Sequence, residues 1–473
     1  MTRWRRYPGR GALLLAVAAL ALAAGCREED ATEYRSPTGP VPTAEQRPGD
    51  PQAGYHALVN APYVSCGIPL DAFRRLFPET DPASRLPGRE GVNADLPYAF
   101  TAHERADGVT VVSSNCLTCH AAEIGGELVI GLGNEFADFT QDPRRLALQA
   151  GTYVRGAAET AAWEHWADRV EGIAPYIQTA TVGVNPAPNL TWALMAHRDA
   201  ETLEWSDTPL IDPPPTEPLP ISVPPWWGMQ HKTAMFYTTV GRGDHATFML
   251  LASMLCVEDI EEFETVDAYA ADIRAYLASL EAPEYPFPID DASAGRGADI
   301  YARTCADCHG GGPDAVAFPN RVHPLDEIGT DPAYALAATD GSRDRFYEWI
   351  ARSPYGDSDS AAPARGYIAP PLDGVWATAP YLHNGSVPSL AALLRPGDRP
   401  RYWRHVLPRS YDEAAVGWRH EALEAGHAAE TDPAQRRLIY DTTRPGYANT
   451  GHSYGEDLSD DEAAALIEYL KTL

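Results

Sequence analysis

Apolar residues recur along the chain in distinct rhythms, and each predicts a different kind of element. From Gly11 to Ala24 they are nearly continuous, a run too short to span a bilayer and preceded by Arg3, Arg5, Arg6 and Arg10. That arrangement predicts an export signal. In Ile273-Arg-Ala-Tyr-Leu-Ala-Ser-Leu280, and again in Leu466-Ile-Glu-Tyr-Leu-Lys-Thr-Leu473, apolar positions fall at helical spacing and both runs end Tyr-Leu-x-x-Leu. They predict two related amphipathic helices, the second opening on a capping box of Ser459 and Glu462. A further short helix is predicted where Ala298, Tyr301 and Cys305 share one face. Elsewhere proline breaks the rhythm. Glu281-Ala-Pro-Glu-Tyr-Pro-Phe-Pro-Ile289 cannot be regular helix and reads as a hinge, and Pro213 to Pro225 reads as a loop presenting Trp226 and Trp227. Residues 27–52 are rich in Glu, Pro, Thr and Gly and read as a flexible tether.

A chain of 473 residues is long enough for two domains. The expected organisation is a signal peptide and anchor cysteine at 1–26, the tether at 27–52, an N-terminal domain at 53–282, a hinge at 283–292 and a C-terminal domain at 293–473. Leu22-Ala-Ala-Gly-Cys26 resembles a bacterial lipoprotein signal, with Cys26 as the lipidated first mature residue; an ordinary cleaved signal is the alternative. The expected location is the periplasmic side of a bacterial cell envelope, with the membrane reached through the lipid anchor only. Loss of residues 1–25 removes four arginines and no acids, so the net charge of −29 becomes −33 (−29 − 4). Nucleic acid and anionic membrane surfaces are thereby disfavoured as partners, and a small basic redox protein is favoured.

Cysteine placement brings in chemistry. Cys116-Leu-Thr-Cys119-His120 and Cys305-Ala-Asp-Cys308-His309 are two Cys-x-x-Cys-His runs, each of which reads as a covalent attachment site for haem c. Two thiols three residues apart add to the two vinyl groups of one porphyrin, and the histidine that follows is carried beneath the ring as an iron ligand. A zinc site would want further Cys or His pairs, and a redox dithiol needs neither the trailing histidine nor a second copy. The expected cofactors are therefore two covalently bound haem c; the sequence leaves calcium open. Of the seven cysteines, Cys66 and Cys256 remain, as a disulfide or as two buried thiols. The repeat supports duplication: Tyr276 lies 156 residues after His120 (276 − 120) and Tyr469 lies 160 after His309 (469 − 309).

Six methionines stand at 1, 195, 229, 235, 249 and 254, none after Cys305. The second haem should thus lack a Met ligand from its own half and sit at low potential. Among the histidines there, His452 stands out, in Gly451-His-Ser-Tyr-Gly455 just before the closing helix, and His383 ranks second. Around the first haem the chain offers Trp226, Trp227, Met229, His231, Met235, Phe236, Tyr237 and His245 as a wall of side chains or as core.

Helix, Cys-x-x-Cys-His, long excursion and closing helix resemble the class I cytochrome c fold. The expected fold class is mainly α, with two tandem class I cytochrome c-like domains and long irregular excursions. The stretch Ala369-Pro-Pro-Leu-Asp-Gly-Val-Trp-Ala-Thr-Ala-Pro-Tyr-Leu-His-Asn-Gly-Ser386 is similar to a signature of the bacterial di-haem cytochrome c peroxidase superfamily. Pro224-Pro-Trp-Trp227 and Gly451-His-Ser-Tyr-Gly455 look closest to its rubber oxygenase branch. The Phe-Trp-Asp-Gly-Arg motif of the peroxidases is absent; Phe236-Tyr237 and Gly241-Arg-Gly-Asp244 stand in that region. The resemblance implies an electron-transferring haem on His309 and His452, with His383 in support. It also implies a reactive haem on His120, near Trp226, Trp227, Phe236 and His245, that takes peroxide, dioxygen or an organic substrate. Purely electron-transferring behaviour is the alternative.

Overall fold

The structure is a computed structural model, and it describes residues 39–78, 81–312, 316–357 and 359–473. The signal peptide, Cys26 and the first part of the tether lie outside those residues. No described helix is long and apolar enough to cross a membrane. From Pro40 onward, the segment expected to be a flexible tether is docked on the body. Val41 N–H donates to the Asn320 carbonyl at 2.7 Å, and the Arg47 guanidinium grips Asp267 at 2.6 and 2.8 Å and also pairs with Asp244.

Two helix crossings frame the molecule. Helix Pro51–Asn60 packs on helix Ala270–Ala278, and helix Asp291–Thr304 packs on helix Asp460–Leu470. Their starts follow from sequence: Asp50 and Asp290 accept from the first free N–H groups, and Ser459 with Glu462 forms the capping box. Each crossing turns on one glycine. A Cβ on Gly54 would stand 1.9 Å from the Asp272 carbonyl oxygen, and one on Gly297 would stand 2.0 Å from that of Ala465. Asp272 and Ala465 each precede by four residues the tyrosines that mark the repeat, Tyr276 and Tyr469. Those tyrosines stack obliquely on Tyr55 and Tyr301, at 5.3 and 5.2 Å.

The expectation of a mainly α fold of two tandem cytochrome domains is overturned. Among the described residues are five small sheets of two or three antiparallel strands, so the fold is mixed α/β. The long excursions are not irregular, because short alternating runs within them pair locally. Thr110–Ser114 is central between Ile68–Pro69 and Phe100–Glu104, and Tyr402–His405 is central between His420–Ala422 and Ile439–Asp441. Periodicity sought at helical spacing missed strands of two to five residues.

Apolar cores cross the chain midpoint. One gathers Trp192, Met195, Phe248 and Met254 with Phe346, Trp349 and Tyr355. Another gathers Ala122, Leu132 and Trp227 with Tyr301, Trp376 and Leu466. Cys66 and Cys256 form a disulfide in a third core, beside Phe73 and Trp166.

Candidate functional site

The first Cys-x-x-Cys-His run opens as a short helical turn, Leu117–His120, because the Asn115 side chain accepts from Leu117 N–H at 2.9 Å and donates to the Tyr98 carbonyl and Thr101 hydroxyl. Burial pushes both thiols, Cys116 and Cys119, up to about 12. That is the reverse of a reactive dithiol, whose thiolate must be stabilised. Among the described residues no group of three or more His, Cys, Asp or Glu side chains is placed to hold a metal ion.

Burial holds His120 neutral, pushed down to about 3, with the Pro224 carbonyl as the backbone group that raises its basicity. The Trp226 ring lies flat on the imidazole, 4.5 Å away and 17° from parallel. Trp226 therefore backs the histidine instead of facing it across a pocket. Trp227 points the other way into the second half, and its Nε1–H donates to the Asp373 carbonyl at 2.7 Å. Phe236 is 41% exposed and touches Phe248, with ring centroids 5.9 Å apart. His245 is buried, its Nε2 without a hydrogen-bond partner, and it is pushed down to about 4 by burial and then by Arg274. Met229, Met235 and Met249 share one apolar cluster with Cys116 and Trp226.

At the second run, helix Asp291–Thr304 delivers Cys305, and the turn Ala306–His309 carries the histidine. His309 Nδ1–H donates to the Pro370 carbonyl at 2.7 Å, which fixes the tautomer and leaves Nε2 as the free ligand atom. Across from it stands His452, with ring centroids 6.2 Å apart and planes at 63°. Two imidazoles bound to one iron through nitrogens at about 2 Å would hold their centroids about 6 Å apart. The spacing fits. A rigid loop supports His452, whose own φ is +48°. A Cβ on Gly451 would stand 2.1 Å from the Gly329 carbonyl carbon, and Arg399 ties the Asn449 and Gly451 carbonyls at 2.7 Å each. His452 Nδ1 is buried without a partner, and burial pushes the ring down to about 3. His383 is elsewhere engaged, stacked flat on Tyr367 at 4.0 Å with Tyr237 at its edge, 6.3 Å away.

The two runs are joined by a short sequence of contacts. From His120 it passes to the stacked Trp226, along one peptide to Trp227, through the hydrogen bond to Asp373, then along the backbone to Pro370 and His309. A cavity of about 290 Å³ lies beside it, lined by His309, Tyr301, Phe318, Leu372 and His231. Sequence reasoning missed Pro370 and Asp373, which act through backbone carbonyls that no side-chain motif announces.

Residues 366–404 match a family model described as RoxA-like, cytochrome c-like, which covers the stretch that carried the sequence signature. An uncharacterized protein of Sinorhizobium fredii, y4iM, is 31% identical over 329 residues, spanning 60% of this chain and 71% of its own length. A second from the same organism, y4iJ, is 31% identical over 291 residues, spanning 47% of each. The cytochrome c-like match indicates haem c as the cofactor.

Proposed function

The chain belongs to the same family as y4iM of Sinorhizobium fredii, and from its RoxA-like, cytochrome c-like segment and two Cys-x-x-Cys-His runs we propose that it is a di-haem c-type oxidoreductase. Cys116, Cys119 and His120 would hold one haem; Cys305, Cys308, His309 and His452 would hold the other. A haem so bound supplies one-electron exchange and, where the sixth position is open, a place for peroxide or dioxygen. The observation that carries the reading is the facing pair His309 and His452, 6.2 Å apart between ring centroids, which would hold the haem iron between them.

The chain's own groups fix the rest. Pro370 orients His309, the 449–452 loop holds His452 rigid, and two buried neutral imidazoles suit a low-potential six-coordinate centre. No second imidazole stacks near His120 among the described residues, where its ring contact is Trp226. This contrast, with the di-haem resemblance, supports a reactive first centre. Met229, Met235 and Met249 beside Cys116 favour a second reading, in which a thioether closes the sixth position and the protein only carries electrons. A lipid anchor at Cys26 and a small redox protein as electron partner belong to the same proposal.

The experiment is a haem stain of the denatured chain with an iron count, followed by cyanide and peroxide titration of the oxidised protein. Two irons per chain, with one centre that shifts its bands, are expected. One iron, or zinc, overturns the di-haem assignment; two irons with neither ligand bound in any redox state leave the electron carrier.

A further inference from the structure

Glu135 is a carboxyl with no obvious reason to be inside the protein. The residue is 5% exposed, and its hydrogen-bond partners are the Ser222 hydroxyl, at 3.1 Å, and the Val223 backbone N–H. Neither carries charge. The groups that feel its charge are Cys119 from the first Cys-x-x-Cys-His turn, Tyr237, and Tyr440 from strand Ile439–Asp441. All are acids or neutral, and among the described residues no basic side chain acts on it. A buried carboxylate without a cation is costly, and such a group adjusts by holding a proton.

Its position ties it to the first haem site. The loop at 131–135 lies along the strap at 222–226: Trp226 N–H donates to the Gly131 carbonyl at 2.9 Å, and a Cβ on Gly133 would stand 2.3 Å from the Val223 carbonyl oxygen. That strap holds the Pro224 carbonyl and the Trp226 ring against His120. Asn134 N–H, next to Glu135, donates to the Cys119 carbonyl at 2.8 Å. On the other side Ser222, whose hydroxyl donates to Glu135 at 3.1 Å, lies beside the buried Tyr237 hydroxyl.

We propose that Glu135 is a redox-linked proton acceptor for the centre held by Cys116, Cys119 and His120. This inference rests on the haem assignment above. One electron arrives at the iron from a one-electron donor, and one proton arrives from solvent to form the neutral carboxyl; oxidation returns both. The physical cause is linkage: reduction removes one positive charge near the carboxyl and raises its proton affinity, and by reciprocity a bound proton raises the potential. Burial already pushes the group up to about 8, so the exchange falls near neutral to mildly alkaline pH.

The test is spectroelectrochemical titration of the holoprotein against pH, for the wild type, Glu135→Gln and Ser222→Ala. In the wild type the potential of the first centre falls as pH rises through the window around 8; in Glu135→Gln it is flat there, and the second centre is alike in both. An equal slope in wild type and Glu135→Gln, or a flat wild type, overturns the proposal. Should Glu135→Gln fail to take up haem, the infrared difference spectrum of the wild type decides: reduction should bring up a protonated-carboxyl band that shifts in heavy water, and its absence is fatal. A wild type lacking covalent haem at Cys116 and Cys119 overturns the haem assignment itself, and this inference with it.

Discussion

At the scale of single residues, His452 and His383 separate two roles that their sequence contexts leave close. His452 faces His309, whereas His383 is committed to the Tyr367 ring. Replacing His452 with Ala should turn the second centre high-spin in the oxidised spectrum, while His383→Ala should shift its bands and leave it low-spin. If His383→Ala alone opens the iron, the geometry has been misread. Buried histidines outside the ligand set also give the protein an acid-sensitive flank. His245, His383 and His405 are 2, 6 and 4% exposed and pushed down to about 4, 3 and 4. Unfolded, each takes a proton near 6.5; folded, each stays neutral until far lower. Stability should therefore be full above pH 6.5 and fall as pH drops toward 4, by up to about 1.4 kcal/mol per unit for each histidine. Melting temperature against pH measures it, and a flat profile across that window contradicts it. Residue-level legibility was uneven. Gly451-His-Ser-Tyr-Gly455 flagged a rigid loop, so His452 was readable. The stack of Trp226 on His120 was not readable, because a composition of aromatic residues says nothing about which face they cover. Glu135 had no sequence signal, since burial is a property of the folded chain alone.

At the scale of elements, the repeated helix ends were legible and the sheets were not. Tyr276 and Tyr469 lie at corresponding places in two glycine-notched crossings, as their matching separations from the Cys-x-x-Cys-His runs implied. The strands escaped because each is only two to five residues long and borrows its stability from a neighbouring core. The crossings predict sharp intolerance. Gly297→Ala would force a methyl to within 2.0 Å of the Ala465 carbonyl, so the helices must separate and unpack Tyr301 from Tyr469. A loss of about 3 kcal/mol is expected from denaturant midpoints. The neighbouring exposed Gly295, with nothing within 4 Å of its Cβ, should accept alanine with no loss or a small gain.

At the scale of the whole molecule, one contact sequence runs from His120 through Trp226 and Trp227 to His309. Trp227→Phe keeps an aromatic ring, smaller than the indole, and removes the Nε1–H bond to Asp373. Electron exchange between the centres, followed after flash reduction, should slow severalfold with both potentials unchanged; an unaltered rate would mean that electrons travel by another route. Two adjacent tryptophans after a proline loop were visible in the sequence, but their division of labour was not, because it depends on Asp373, 146 residues further on.

The cores that cross the midpoint set an order of events in time. The cluster around Trp192 and Phe248 is completed by Phe346, Trp349 and Tyr355, and Trp227 finds its partner only at Asp373. A chain emerging from its N-terminus can gather the cluster around Cys116, whose last member is Leu280, but cannot complete the core at Trp192 and Phe248 until Phe346, Trp349 and Tyr355 have arrived. Both pairs of thiols, the later at 305 and 308, are thus already present when the final compaction joins the two halves.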